Sequence, residues 1–150
     1  MSSYIQFYIK KKGIYVPIGT YCRSSVIYRN FEADWGVLKP LTQWRLRNIM
    51  TELKEEEERF NKQIDENKLK IDFIQEANNS MEEKMHTLSD ILYEIDEVQE
   101  SIEEVQYAIY FVKFLDDILD ECDDYNDLDA DNYIYYGIEC PYPDDEDIKE

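Results

Sequence analysis

A repeating pattern of apolar residues between about Thr42 and Cys122 limits what this chain can fold into more than any other feature. The pattern appears twice and is interrupted between Asn78 and Ser80. In the first half the residues that fill it are Leu46, Leu53, Phe60 and Ile74. In the second half one position of the repeat is filled by Met81, Leu88, Ile95, Ile102 and Ile109. The other position is filled by Met85 and Leu92 and then, shifted by one residue, by Val98, Val105 and Val112. A heptad repeat of this kind buries one stripe of each helix against a partner helix. The sequence therefore predicts two long helices that form an antiparallel coiled-coil hairpin over residues 42–122.

The predicted helices carry recognisable start and stop signals. Thr42 is a suitable N-cap, and Leu41 before it can pack on Leu46 as a hydrophobic staple. Ser80 followed by Glu83 is typical of a capping box at the start of the second helix. The asparagines before Ser80 tolerate the left-handed conformation that often ends a helix. Together these signals predict that the two helices meet at a short turn.

The two helices differ in their surfaces. The first mixes charges of both signs four residues apart, such as Glu55 with Arg59, and carries Asn67 in its seam. An asparagine in a seam typically fixes the register of a coiled coil. The second helix has a narrow apolar stripe at first, but between Val105 and Leu119 its apolar residues face nearly every direction. We therefore expect residues 105–119 to be buried on all sides.

Residues 1–38 contain the pattern of a β-hairpin and a short helix. Apolar and polar residues alternate from Tyr4 to Lys11, which is typical of a half-buried strand. Lys12-Gly13 supplies a turn, and Ile14 to Cys22 returns as the second strand. Pro17 in that strand indicates an edge position or a bulge, because proline cannot donate a ladder hydrogen bond.

The remaining segments complete a predicted α+β fold. A short helix capped by Ser24 or Ser25 is expected to end at the Trp35-Gly36 turn. Residues 123–132 are expected to be an acidic loop, and residues 133–140 a strand that joins the hairpin as its third member. Residues 141–150 are expected to be a frayed acidic tail. The prediction is one domain, with a small antiparallel sheet at the base of a long antiparallel helical hairpin.

The charge of the chain is strongly uneven. The formal net charge is −19 over 150 residues. Residues 1–38 carry five basic and two acidic side chains, whereas residues 116–150 carry one basic and fifteen acidic ones. Such a field repels phosphate, so direct binding to nucleic acid or to an anionic membrane is not expected. The expected partner is a basic protein.

An acidic stretch of the second helix is the main candidate binding site. Seven acids lie between Asp90 and Glu104, which corresponds to one charge per roughly 3 Å of helix. A DNA strand presents one phosphate per about 3.4 Å. We therefore expect these acids, together with the acids and the tyrosine that follow, to contact a groove lined by arginine and lysine. The candidate partner-binding residues are Asp90, Glu94, Glu97, Glu100, Glu104, Asp116, Asp117, Asp120, Asp124 and Tyr125.

Metal or catalytic chemistry has weaker support. The single histidine, His86, is far along the helix from Cys122, and the three cysteines include no paired spacing. The string beginning Asp127, Asp129 and Asp131 resembles the start of an EF-hand loop, but Ile138 stands where that loop needs glutamate. Calcium binding by residues 127–139 remains an alternative. No nucleotide-binding or nucleophile motif occurs, so we expect neither an enzyme nor a cofactor.

In composition the chain resembles virus-encoded inhibitors of bacterial defence nucleases, a class that includes DNA mimics and anti-CRISPR proteins. The resemblance rests on its small size, its acidity and residues with A/T-rich codons, and it includes no motif. It implies a non-enzymatic inhibitor that occupies the nucleic-acid site of a host enzyme. The alternative is a coiled-coil structural or adaptor protein that forms a homodimer or larger oligomer. The absence of a signal peptide and of long apolar runs predicts a cytoplasmic protein without a membrane segment.

Overall fold

The computed structural model describes residues 3–121 and 133–148. In this part of the chain the secondary structure comprises β1 (Tyr4–Lys11), β2 (Ile14–Cys22), α1 (Val26–Phe31), β3 (Lys39–Pro40), α2 (Gln43–Glu76), α3 (Met81–Asp120), β4 (Tyr133–Ile138) and a 3-10 turn (Asp145–Asp147). The strands form one antiparallel sheet, and α2 and α3 pack against each other as a helical hairpin. The predicted α+β fold class is confirmed.

Contacts within the chain define two units. The sheet unit, residues 1–52 and 108–150, contains the four strands, α1 and the adjoining ends of α2 and α3. The helical arm, Leu53–Tyr107, contains the rest of the two long helices and the turn that joins them.

The N-terminal hairpin of the sheet unit forms as its sequence predicts. β1 and β2 pair antiparallel, and the turn residues Lys12 and Gly13 have φ values of 51° and 77°. Two positive φ values in succession are what a tight hairpin turn of the right twist requires. The register shifts between Phe7 and Tyr8, where Pro17 is the partner of Tyr8, and β2 is an edge strand. The structure therefore confirms the prediction for Pro17, which lies in an edge strand and at an irregularity of the register.

The predicted third strand lies beside β1, and a short fourth strand follows it. The strand order is β2-β1-β4-β3, with the β4 residues Ile138 and Tyr133 opposite Ile5 and Lys10 of β1. The joining of the C-terminal strand to the hairpin is confirmed. β3 was not predicted, because its two residues are too few to show any periodicity.

Aromatic packing holds the inner face of the sheet against helix α3. The ring of Phe7 is fully buried and lies edge-on to the rings of Phe31 and Phe111, with centroids 4.8 and 4.9 Å apart. Tyr136 of β4 stacks on Phe7 at 6.1 Å. Edge-to-face pairs of this kind add to the free energy gained by burying the rings. Phe7 therefore links β1, α1, β4 and α3.

The outer face of the sheet is also covered, which corrects the prediction of a half-buried β1 and of a frayed tail. Tyr8 and Lys10 on this face are buried, and Lys10 Nζ lies 3.3 Å from Asp145 Oδ1. The Tyr8 hydroxyl donates to the carbonyl of Cys140, and burial raises the pKa of Tyr8 to about 12. Residues 140–148 thus lie across the outer face of the sheet. The ring of Tyr8 and the aliphatic stem of Lys10 provide an apolar surface there, and their polar ends bond to the covering segment.

Helix α1 begins at the predicted cap and ends sooner than predicted. The Ser25 hydroxyl accepts the Tyr28 amide, as an N-cap should. The helix ends at Phe31, because Glu32 takes the left-handed conformation, with φ 49°. Arg45 of α2 also donates to the carbonyl oxygen of Phe31 at 3.3 Å. The predicted end at Trp35-Gly36 is therefore wrong.

The long helices start at their predicted caps. The Arg45 amide donates to Thr42 Oγ1 at 3.1 Å, and the Glu83 amide donates to Ser80 Oγ at 3.3 Å. No asparagine before Ser80 ends α2 in the left-handed conformation; in the described chain the non-glycine residues with positive φ are Lys12, Glu32 and Glu139. Instead the Lys84 ammonium donates to the carbonyl of Gln75 at 3.3 Å. A lysine can satisfy the carbonyls left free at a helix end.

The seam of the arm follows an unbroken heptad. Its buried residues in α3 are Ile91, Ile95, Val98, Ile102 and Val105, at alternating steps of four and three. The predicted shift is wrong, because the same steps place Ile91 rather than Leu92 in the seam, and Met85 and Leu92 are exposed. Met81 keeps the heptad spacing but is exposed at the start of α3. Asn67 is buried in the arm, as predicted for a seam residue, and its Nδ2 has no hydrogen-bond partner.

The expectation that residues 105–119 are buried on all sides is wrong. Phe111 contacts the sheet through Phe7 and Tyr21, and Val112 and Leu115 are also buried. Tyr107, Tyr110 and Phe114 are 63%, 71% and 48% exposed. A flat sheet covers only one side of a helix, so aromatic residues on the other side of α3 remain in contact with solvent.

Candidate functional site

The acids of α3 in the helical arm form a continuous exposed row. The acidic row comprises Asp90, Glu94, Asp96, Glu97, Glu100, Glu103 and Glu104, all of which are exposed. Their outward position follows from the seam, because Ile91, Ile95 and Val98 turn the opposite side of the helix toward α2. At 1.5 Å per residue the row extends about 21 Å along a regular helix.

The row has little positive charge beside it, although Lys68 of α2 lines the same groove as Glu103. Among the residues that the structure describes, no ion pair involves a carboxylate between Glu94 and Glu104. Glu94 accepts a hydrogen bond of 3.3 Å from the neutral amide of Gln63. At the start of the row, His86 Nε2 lies 3.9 Å from Asp90 Oδ2. Apart from Asp90, the carboxylates of the row therefore have no ion-pair partner among the described residues.

Tyr93 shows the electrostatic effect of the row. A hydrogen bond to the Glu97 carboxylate raises the pKa of the Tyr93 hydroxyl, and the charges of Glu97 and Glu100 raise it further. Tyr93 and Tyr107 are exposed and lie fourteen residues apart, two heptads along the outward side of α3. Neither was among the predicted site residues, although the heptad position of Tyr93 identifies it as outward-facing. The acidic row thus has an exposed aromatic ring near each end.

The first helix of the arm provides a contrast within the same unit. Between residues 54 and 70 it carries five basic and six acidic side chains. The predicted i,i+4 partners, such as Glu55 with Arg59, do not form ion pairs within 4 Å among the described contacts. Positive and negative side chains are nevertheless interspersed on α2, so its field is close to neutral. In the arm, residues 93–107 of α3 carry charge of a single sign.

In the sheet unit, Asp116, Asp117 and Asp120 lie at the C-terminal end of α3. Helix carbonyls give that end a partial negative charge, and no basic residue occupies the last turn to offset it. Gln43 donates to Asp120 at 3.2 Å. Partial burial raises the pKa of Asp116, and the charges of Asp120 and Asp117 add to the effect, against the opposing influence of Arg47.

Replacing Asp116 with asparagine is expected to stabilise the protein at pH 7. Because the pKa of Asp116 is raised on folding, its ionised form disfavours the folded state above the carboxyl range, and the penalty disappears as the pH falls. Removing an unfavourable charge at a helix end is worth about 0.3–1 kcal/mol. Thermal melts at pH 7 and at about pH 4 would measure this, with the largest gain at pH 7. Glu100→Gln, in the middle of α3, should change the melting temperature little, and a lower melting temperature for the Asp116 variant would contradict the argument.

Several predicted site residues fall elsewhere. Asp124 and Tyr125, and the Asp127, Asp129 and Asp131 string, lie outside the described residues, although the segment after the string is the predicted strand. Cys22 is exposed and Cys140 is buried. Within residues 3–121 and 133–148, no group of three or more His, Cys, Asp or Glu side chains is placed to hold a metal ion.

Comparisons with known protein families, curated proteins and solved structures find no match for this chain. Of the helices that the structure describes, none has the length and apolar character needed to cross a membrane.

Proposed function

We propose that this chain is a non-enzymatic binding protein whose acidic row occupies a basic nucleic-acid-binding groove of another protein. The observation that carries the proposal is the row itself, seven exposed carboxylates on one regular helix, of which the six from Glu94 to Glu104 have no ion-pair partner among the described residues. A groove that binds nucleic acid is lined by arginine and lysine, and it would supply the missing positive charges.

The spacing of the row supports nucleic acid as the ligand that it imitates. Seven charges over about 21 Å of helix give one charge per roughly 3 Å, close to the 3.4 Å between phosphates of one DNA strand. A helix held straight by a buried seam keeps that spacing in solution, so little ordering entropy is lost on binding. The exposed rings of Tyr93 and Tyr107 add surfaces on which arginine side chains can stack.

The partner implied by this surface is a nucleic-acid-binding enzyme, and the consequence of binding is inhibition, because the enzyme cannot hold the row and its substrate together. A virus-encoded inhibitor of a bacterial defence nuclease, of the DNA-mimic or anti-CRISPR kind, fits both the surface and the composition. The alternative is a coiled-coil scaffold whose acidity serves solubility. Exposed apolar residues in the arm favour self-association of such a scaffold. Self-association through the arm and binding of a partner by the acidic row are compatible.

A triple substitution tests the row. Glu94→Gln, Glu97→Gln and Glu104→Gln together remove three charges and keep helix propensity nearly unchanged. If the row contacts a basic groove, affinity for the partner should fall by a few kcal/mol and the salt dependence of binding should flatten. The partner would be isolated from a bacterial lysate at low salt and identified, and its binding then measured by calorimetry from about 50 to about 500 mM salt.

The matched control removes the same number of charges from the other helix of the arm. Glu55, Glu58 and Glu66 are all exposed on α2, where positive side chains are interspersed. Their replacement by glutamine should leave affinity nearly unchanged. Equal losses from both triple variants would show that total charge matters and its position does not. Duplex DNA should compete with the unaltered protein for the partner, and failure to compete would exclude mimicry.

A further inference from the structure

The part of the arm nearest its turn has an apolar groove that the acidic row does not explain. Leu69 and Phe73 of α2 are 68% and 75% exposed, although they lie beside the buried seam. With Ile74 of α2 and Thr87 and Ile91 of α3 they line a groove of about 500 Å³. Lys70 supplies the only charged side chain among the described residues that line it.

Further exposed apolar side chains lie in the same part of the arm, outside the lining of the groove. Met81, Met85 and Leu92 of α3 are each more than half exposed and lie within a few turns of it along the helix. Single exposed apolar residues are ordinary on protein surfaces, but a cluster of large ones typically marks an interface. An exposed phenylalanine and leucine on a rigid helix are typical of the anchors by which helices pack together.

Charge indicates what occupies the groove. Residues 61–92, which include the groove, carry four lysines and seven acids, so their net charge is −3 over 32 positions. Residues 93–107 carry six acids and no basic residue. Two copies of a chain with net charge −19 repel each other, and that repulsion is weakest where positive and negative side chains are mixed.

The charges around the groove also allow two copies of this surface to face each other with opposite charges in contact. Lys70 lies on its α2 side, whereas Glu83 and Asp90 lie on the neighbouring turns of α3 beside Thr87. In a two-fold symmetric dimer every contact between the copies occurs twice. Lys70 on α2 of each copy can therefore pair with an acid on α3 of the second copy. A strongly basic partner would gain more from the acidic row than from this mixed surface.

We propose that residues 61–92 form a homodimer interface, in which Leu69 and Phe73 of each copy pack against the groove of a second copy. Sixteen residues of α2 and twelve of α3 give a surface of about 24 by 20 Å, the same order as the roughly 800 Å² that each partner buries in a standard interface. The six acids of the row from Glu94 to Glu104 lie outside residues 61–92 and stay accessible in each copy, whereas Asp90 belongs to the interface. The dimer therefore presents two rows to its partners and does not depend on the proposed nucleic-acid mimicry.

Sedimentation velocity on the full chain tests the dimer. The unaltered protein should be dimeric at tens of micromolar, and the double variant Leu69→Gln, Phe73→Gln should raise the dimer dissociation constant at least tenfold with unchanged helical circular dichroism. Both residues are exposed, so the change should not unfold the arm. A matched control is Trp44→Gln, which removes a residue 73% exposed at the start of α2 and should leave the dimer intact.

Salt separates this interface from the proposed partner binding. Raising salt from about 50 to about 500 mM screens the repulsion between two acidic chains, so dimerisation should hold or strengthen, whereas binding of the row to a basic groove should weaken. A protein that stays monomeric at 100 μM, or a double variant that dimerises as well as the unaltered protein, would overturn the proposal. Equal weakening by Trp44→Gln would show that the interface lies elsewhere.

Discussion

Replacing Ile95 with proline is expected to lower the free energy of unfolding by more than 3 kcal/mol and to reduce helical circular dichroism. Ile95 lies in the interior of α3 and is buried in the seam. Proline there removes the hydrogen bond to the carbonyl four residues earlier and its ring clashes with that carbonyl, at a cost of about 3 kcal/mol. Loss of the buried isoleucine side chain adds about 2 kcal/mol or more. Thermal and urea melts followed at 222 nm would measure both effects.

The same substitution at the start of the helix is the control. Met81 is the first residue of α3, directly after the Ser80 cap, and its side chain is exposed. Proline is tolerated at this position, because the amide it removes has no partner within the helix. Met81→Pro should therefore change stability by less than about 1 kcal/mol. Similar melting of the unaltered protein and the Ile95 variant would show that α3 is not a continuous helix at that point.

Replacing Gly137 with alanine is expected to destabilise the sheet unit by about 3 kcal/mol. A Cβ atom at this position of β4 would clash with the carbonyl oxygen of Val37 and lie 3.3 Å from Cys140 Sγ. The oxygen belongs to the backbone, so it cannot turn aside as a flexible side chain would. Relief of the clash requires β4 to move away from the chain segment beside it, which strains a closely packed core. Urea unfolding followed by tyrosine and tryptophan fluorescence would measure the loss.

Gly13 provides a control for the loss of a glycine in the same unit. It has φ 77° in the β1–β2 turn, and a Cβ there would meet nothing within 4 Å. Asparagine tolerates that conformation, so Gly13→Asn should cost less than about 1 kcal/mol. A Gly137 variant as stable as the Gly13 variant would mean that β4 and Val37 are not in close contact in solution.

Local periodicity made the main elements of this fold predictable. The heptad repeats gave the two long helices, alternation gave β1, and Lys12-Gly13 gave the turn, because each signal depends on residues close together in the chain. The acidic row was predictable for the same reason, since acids that avoid a helical seam must face outward. The start of the α3 seam was less certain, because Met85 and Leu92 are as apolar as the residue that is buried there, Ile91.

Features that depend on contacts between distant residues were decided by the tertiary structure alone. Tyr8 and Lys10 alternate with the inner-face residues as solvent-facing residues would, yet the chain more than 130 positions later covers them through Cys140 and Asp145. The fourth strand, β3, exists only because β4 offers it a free edge. Nothing near Gly137 in the sequence indicates that the Val37 carbonyl leaves no room for a side chain.

The same division applies to the candidate surfaces. The sequence determined which residues carry negative charge and that they lie on one helix. Only the packing of the two helices decided that no lysine of α2 pairs with Glu94–Glu104 in the described structure, and that Leu69 remains exposed beside Phe73. Charge and periodicity are properties of neighbouring residues, whereas pairing and exposure depend on which distant side chains the fold brings within a few ångströms.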